Sequence, residues 1–170
     1  MKLHFGILVL VIFLVFCSQA NALVLKSPEF SDGEKLPIKS GYEKGNTSPL
    51  LVWEDIPENT ASFVLLMDDP DASGWVHWLV YNIPASVNSL REDFPRDEKF
   101  KDGTLQGINS FNKLAYAGPC PPSGTHRYVF KLYALDTVLD LKSGAQKHDL
   151  LKSMKGHVLQ ETSLMGKFSK

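Results

Sequence analysis

Beyond an apolar N-terminal stretch, proline and glycine interrupt this chain so often that only short runs rich in Val, Leu, Phe and Tyr remain between them. Short runs of that composition, bounded by turn residues, read as strands rather than helices. The fold class expected is mostly β, with a little helix added. Candidate strands are Val24–Lys26, Leu50–Trp53, Ser62–Asp68, His77–Ile83 and Arg127–Leu135, joined by turns such as Ser31-Asp32-Gly33 and Lys44-Gly45-Asn46. Residues 84–117 are expected to be irregular, and between Pro84 and Gly107 charges and prolines crowd into a surface excursion with at most a short helical turn. One amphipathic helix is expected in Ala145–Lys155, where Leu150, Leu151 and Met154 recur at helical spacing and Gly156 stands as a stop.

Residues 1–22 have the form of a secretory signal: a basic Lys2, an apolar run from Ile7 to Cys17, and small residues in Ala20-Asn21-Ala22. Spanning a bilayer takes about 20 apolar residues, roughly twice this run. A lipoprotein signal centred on Cys17 is disfavoured by the bulky Phe16 before it. Cleavage after Ala22 is therefore expected, leaving one domain, residues 23–170, that is secreted or periplasmic and has no stable membrane anchor. Lys2 is one of the 18 basic residues and all 19 acidic ones lie beyond it, so the mature part is slightly acidic. That balance speaks against nucleic acid or anionic membrane as a partner, and any anion site must be local. With Cys17 removed, Cys120 is the sole cysteine and no internal disulfide forms. Between Pro119 and Pro121, Cys120 reads as a small buried hydrophobe. The competing readings are a nucleophile paired with His126 and an intermolecular disulfide.

Two clusters carry candidate chemistry. In Gly118–Tyr128 a proline-stiffened loop delivers His126 and Tyr128 to the start of an apolar strand. In Asp69-Pro70-Asp71-Ala72 two carboxylates occupy a turn shortly before His77 enters another strand. By strand alternation His77, Leu79, Tyr81 and Ile83 share one side, with Trp78, Val80 and Asn82 on the other, while His126, Tyr128, Phe130 and Leu132 point together. Each histidine then sits at the solvent end of a packed face, and a shared pocket is expected. His77, His126 and the Tyr128 hydroxyl can all donate hydrogen bonds to an anion, and binding is expected to take up protons near neutrality. Asp69 and Asp71 would repel a bare phosphate, so they are read as orienting a histidine or meeting a cationic group, which suits a small anionic or zwitterionic ligand. An aromatic cage from Trp53, Trp75 and Trp78 is weighed against packing, which is expected for at least two of them. His148 and His157 carry no role. An enzyme using His77, His126 and Asp69 as metal ligands or as acid and base finds no support in HExxH, CxxC or GxSxG patterns.

Several stretches in order resemble the phosphatidylethanolamine-binding protein family, most closely its bacterial Raf-kinase-inhibitor-like branch. They are Asn46-Thr47-Ser48-Pro49-Leu50 before Val52-Trp53, the Asp69–Ala72 turn, His77-Trp78 leading to Asn82-Ile83-Pro84, the Gly118–Pro122 loop, His126-Arg127-Tyr128, Tyr133–Asp136 and Met154–His157. The resemblance implies an antiparallel two-sheet core with peripheral helices, a further strand in His157–Phe168, and a small anion pocket at one end. It implies a lining of Asp69, His77, Gly118, His126 and Tyr128, with Asp71, Trp78 and Pro119 as neighbours, and no cofactor or metal. The implied function is non-catalytic capture of a phosphate-bearing group on a phospholipid head group, a metabolite or a phosphorylated side chain. The alternative is an inhibitor or regulator of a protein target, a secreted protease or a kinase, of which an exported copy would suit the former. X–Pro bonds around the histidines are candidates for cis geometry. The chain departs from the family pattern at Ser73, where a proline is usual and a looser pocket wall is expected, and at Asn109-Ser110-Phe111-Asn112, which replaces Asn-Asp-Phe-Gly.

Overall fold

The computed structural model describes residues 22–97 and 100–170, so the expected signal, residues 1–22, lies outside the described part except for Ala22. Among the described residues the chain forms β1 (Val24–Lys26), β2 (Leu51–Glu54), β3 (Ser62–Asp69), β4 (Trp75–Pro84), β5 (Ser89–Leu90), β6 (Leu105–Gln106), β7 (Thr125–Leu135), α1 (Lys147–Met154) and β8 (Val158–Ser169). The fold is mostly β, with two antiparallel sheets in the orders β6-β4-β3-β7-β8 and β1-β2-β5.

β3 lies at the centre of the large sheet and all eight of its residues are buried, which is why its sequence reads as a continuous apolar run rather than an alternating one. Phe63, Leu65 and Met67 face the small sheet and pack with Trp53, Phe130 and Leu132. Val64 and Leu66 face the other way, where Leu150 and Met154 of α1 cover them. A reciprocal box caps that helix: Gln146 N–H donates to the Asp149 side chain, while the Gln146 side chain accepts from the Asp149 backbone. Asp68, buried on the helix side, accepts from Lys131 of β7 at 2.9 Å and from Lys147 of α1 at 2.7 Å, pinning helix to sheet.

Three expectations need correction. First, the excursion after Pro84 supplies a strand to each sheet, β5 to the small one and β6 to the large, and among its described residues has no helical turn. Gln106 is fully buried there, accepting from Trp78 Nε1 and donating to the carbonyls of Pro95 and Asp97. Two-residue strands carry no periodicity, so burial of their backbone is what reveals them.

Second, Ile83 packs with Trp78 and Val80 rather than with Leu79 and Tyr81. The register slips between Phe63–Ile83 and Leu65–Val80, so β4 carries one extra residue, and Asn82 takes a φ of 54°. An inserted residue swaps the face of everything beyond it. Third, Cys120 is exposed, not buried. The strand expected at the C-terminus from the resemblance is present as β8, and every described peptide bond is trans. Trp53 and Trp78 are core residues, while Trp75 is exposed, so the three do not form a cage.

Candidate functional site

The turn after β3 is built by Asp69. Its Oδ1 accepts from the amides of Asp71 at 2.9 Å and Ala72 at 3.1 Å, capping a short 3-10 turn that begins at Pro70. Proline suits that first position because its missing N–H would have no acceptor there. The next residue, Ser73, has a φ of 55°, which a proline ring cannot adopt. Serine at this position is thus matched to the turn it occupies, and Gly74 N–H closes it on Asp69 O at 2.9 Å. The second carboxylate oxygen of Asp69 reaches across the sheet to His126 Nδ1 at 2.8 Å.

His77 is brought to the same place by a bulge. Met67 pairs with Trp78 but Asp68 pairs with Val76, which leaves His77 as the extra residue of β4. Simple alternation would set His77 beside Leu79 and Tyr81 on the helix side, opposite the face of Tyr128. Instead its ring makes an edge contact with Tyr128, centroids 5.1 Å apart, and Tyr128 belongs to the cluster between the sheets. The bulge therefore re-aims the histidine, a recurrent use of this distortion. Its Nδ1–H donates to Ala117 O at 2.7 Å, and Ala117 N–H returns a bond to His77 O at 3.0 Å. A carbonyl only accepts, so the neutral ring carries its proton on Nδ1.

The proline loop is held from behind. A β-carbon on Gly118 would stand 2.0 Å from Ser40 O and 2.7 Å from Tyr42 N, so only glycine lets the loop lie against residues 40–42. Asn46, at a φ of 53°, accepts the Gly118 amide on Oδ1 at 2.7 Å, and Tyr42 N–H donates to Pro119 O at 2.9 Å. Asn109 ties the preceding loop to β4: its amide donates to His77 O and Ala115 O and accepts from Phe111 and Lys113. At the departures from the family pattern, Ser110 Oγ accepts the Val76 amide at 2.9 Å and Asn112 takes a left-handed φ of 59°. Phe111 stacks on Tyr42, 5.1 Å apart, and meets His77 and Trp75 edge-on. Asn46, Asn109 and the Phe111–Tyr42 pair escape sequence reasoning as site builders, because their partners are backbone groups and rings distant in sequence.

Asp69, His77 and Tyr128 form a buried floor, and His126 is the partly exposed member above it. Burial pushes the His77 imidazole below its ordinary value, outweighing the opposite pull of Ala117 O, Asp69, Gly118 and Asp68. Burial likewise pushes the Tyr128 hydroxyl well up, with Asp69 adding to it. Asp69 and the Cys120 backbone lie near that hydroxyl, yet neither makes a well-directed bond, and it is a buried polar group without a partner among the described residues. Asp71 turns away from the floor to Arg127, accepting from its amide, Nε and Nη2, and the hydrogen bonds from that guanidinium hold its carboxyl down at about 2. Trp78 lies in the core against Tyr116 and Phe94, behind the floor. The Cys120 thiol is pushed up by partial desolvation and then by Asp69 and Glu43, which disfavours the thiolate a nucleophile needs. An adjoining groove of about 410 Å³ is lined by Pro119 to Pro122, Glu43, Lys44 and Phe168 to Lys170, and not by either histidine.

Comparison with known proteins places these features in a wider set. A sequence model described as phosphatidylethanolamine-binding protein matches residues 26–169. A protein of Methanothermobacter thermautotrophicus, named only as a UPF0098 protein, is 47% identical over 144 residues, covering 84% of this chain and 95% of that one. A crystal structure from Chlamydia trachomatis, described as a homologue of the phosphatidylethanolamine-binding protein, superposes with a TM-score of 0.81 at 37% identity, covering 88% of this chain and 99% of that one. Escherichia coli YbcL, described as a member of the mammalian family, gives a TM-score of 0.81 at 34% identity with the same coverage of both chains.

Proposed function

Because this chain belongs to the phosphatidylethanolamine-binding protein family, we propose that it is an exported, non-catalytic binding protein whose Asp69–His77–His126–Tyr128 cluster captures a small anionic, phosphate-bearing group. The observation that carries the reading is the convergence of His77 from β4 and His126 from β7 on one buried carboxylate and one unpartnered tyrosine hydroxyl. Perturbed, buried polar groups of that kind are expensive to maintain for packing alone. Asp69 supports the role assigned to it as the group that orients a histidine, whereas Asp71 acts through Arg127 on the outer side of the turn. Gly118 and Pro119 contribute shape, by holding the loop against residues 40–42.

A second reading, a regulator that grips a protein target such as a secreted protease, is favoured by the rim. Trp75 and Tyr42 are exposed aromatics packed around Phe111 beside the floor, the kind of side chain that anchors protein interfaces. Export is supported by the start of the fold: Leu23 is buried and its amide donates to Gln160 Oε1 at 2.7 Å, so a cut after Ala22 leaves the domain whole.

Calorimetric titration of the mature chain with phosphate, phosphoethanolamine and zinc, alongside His77→Ala and His126→Ala, tests the reading. Saturable anion binding lost in both variants is expected. Variants that bind as well as the parent would refute the assignment, stoichiometric zinc binding would restore the enzyme reading, and a mature N-terminus other than Leu23 by mass spectrometry would overturn the cut.

A further inference from the structure

β8 is the outer strand of the large sheet, so only one of its two backbone edges is taken by β7. In an antiparallel ladder alternate residues turn their N–H and C=O towards the neighbour and away from it. The outward set is fixed by the C-terminal half of β8. Met165 N–H donates to Asp32 Oδ1 and its carbonyl accepts from Gly33 N–H, both at 2.8 Å. Lys167 N–H donates to Glu34 O at 2.8 Å and its carbonyl accepts from Leu36 N–H at 2.9 Å. Residues 32–36 thus strap that half. The register to β7 is unbroken from Ser169 back to Gln160, so the next outward residues are Ser163 and Glu161. Their N–H and C=O groups have no partner among the described residues. Leu159, unpaired at the slip between Ala134 and Leu135, ends the regular ladder. Strap and bulge therefore bracket an open edge at residues 160–164, with Val158 and Leu159 exposed beside it. Natural folds rarely leave such an edge bare unless something pairs with it.

The outer face beside this edge has room for side chains and a charge pattern to choose them. α1 covers Val64, Leu66 and Leu79, and next to the edge a hollow of about 310 Å³ is lined by Lys131, Tyr133, Glu161, Thr162 and Ser163. Ser163 stands opposite Lys131 and Glu161 opposite Tyr133. Lys131 and Lys147 share the single carboxylate of Asp68, while Glu161 has no ion pair among the described residues. The edge thus presents an unanswered acid at Glu161 and, behind the short Ser163, a cation in excess. We infer that residues 160–164 receive an extended segment of a partner protein as an antiparallel sixth strand of the large sheet. Its outer face carries an acidic residue opposite Ser163 and, two positions later, a basic residue opposite Glu161. Glu161 and Ser163 supply four backbone hydrogen bonds, and the opposed charges set the register. The basic stem lies against Tyr133, and the acid reaches over Ser163 to Lys131, leaving Asp68 with Lys147. Tyr133 is seven residues along β7 from His126, about 23 Å at the rise of a strand, so this dock is separate from the histidine cluster.

The test is backbone-amide NMR on the mature chain with a blocked heptapeptide, Thr-Val-Glu-Val-Lys-Val-Thr, and a second in which Glu and Lys trade places. In the dilute protein alone the Glu161 and Ser163 amides should exchange quickly and those of Thr162 and Leu164, turned to β7, slowly. The first peptide should shift resonances at residues 160–164 saturably and slow exchange at Glu161 and Ser163 at least about tenfold. The second should bind about fivefold more weakly, the size of a cross-strand charge pair, and Glu161→Lys should reverse that order. No response at residues 160–164, or equal affinity for the two peptides, would overturn the inference. So would slow exchange at Glu161 and Ser163 without peptide: if it persists on dilution the edge is already covered, and if it grows with protein concentration a second copy of the chain is the occupant.

Discussion

Replacing Asp69 by asparagine separates two roles that one side chain now fills. Asparagine keeps an Oδ1 acceptor and is as good a cap as aspartate, so the bonds from the Asp71 and Ala72 amides survive. What changes is the second position, where an oxygen accepting from His126 Nδ1 at 2.8 Å becomes an NH₂ donor facing another donor. The charge-assisted bond is lost, at a cost of about 2 kcal/mol. For a domain of this size about 3 °C accompanies each kcal/mol, so melting should fall by about 6 °C. Asp69→Ala loses the cap as well and should cost about 1 kcal/mol more. The spectroscopic consequence is sharper: with Nδ1 now opposite a donor, the neutral His126 ring should exchange its hydrogen to Nε2. Imidazole ¹⁵N shifts at about pH 8, where a free ring is neutral, read that tautomer directly. An unchanged melting temperature together with an unchanged His126 tautomer would refute the assigned contact and the orienting role of Asp69.

Other expected outcomes follow from the same coordinates. Gly118→Ala drives a β-carbon against backbone atoms of Ser40 and Tyr42 and should cost about 3 kcal/mol in urea unfolding; a neutral result would mean the loop does not lie there. His77 is held below its ordinary value, so the unfolded chain binds the extra proton more readily. Its contribution is complete above about pH 6.5 and lost as pH falls through the folded value, and in His77→Gln the slope of urea midpoint against pH over that window should flatten. The Asp71 carboxyl should titrate by NMR at about 2 and return towards 3.8 in Arg127→Gln; any stability it lends is present above the latter value and lost as pH drops through the former.

Much of this protein is legible along the chain. Turn chemistry marks Asp69-Pro70 and the Gly118–Pro122 loop, because capping carboxylates and locked proline φ angles act within a few residues of themselves. The apolar runs declare the strands to within a residue or two at most ends, and the parity of β7 places Tyr128, Phe130 and Leu132 on one face, as found. The family, too, is written in the order of its motifs.

Tertiary structure decided the rest. Which face His77 presents depends on an extra residue in β4 opposite Asp68, and a period of two contains no sign of an insertion whose cause lies in the neighbouring strand. Which aspartate serves the site depends on geometry across the sheet: Asp69 meets His126 and Asp71 meets Arg127, although both stand in one four-residue turn. Which hydrogens of the candidate site are already engaged depends on distant acceptors, Asn46 for Gly118 and Ala117 for His77, since a donor in sequence says nothing of whether something else already holds it. Local propensity specifies conformations, and only the closed chain settles which polar groups remain unanswered.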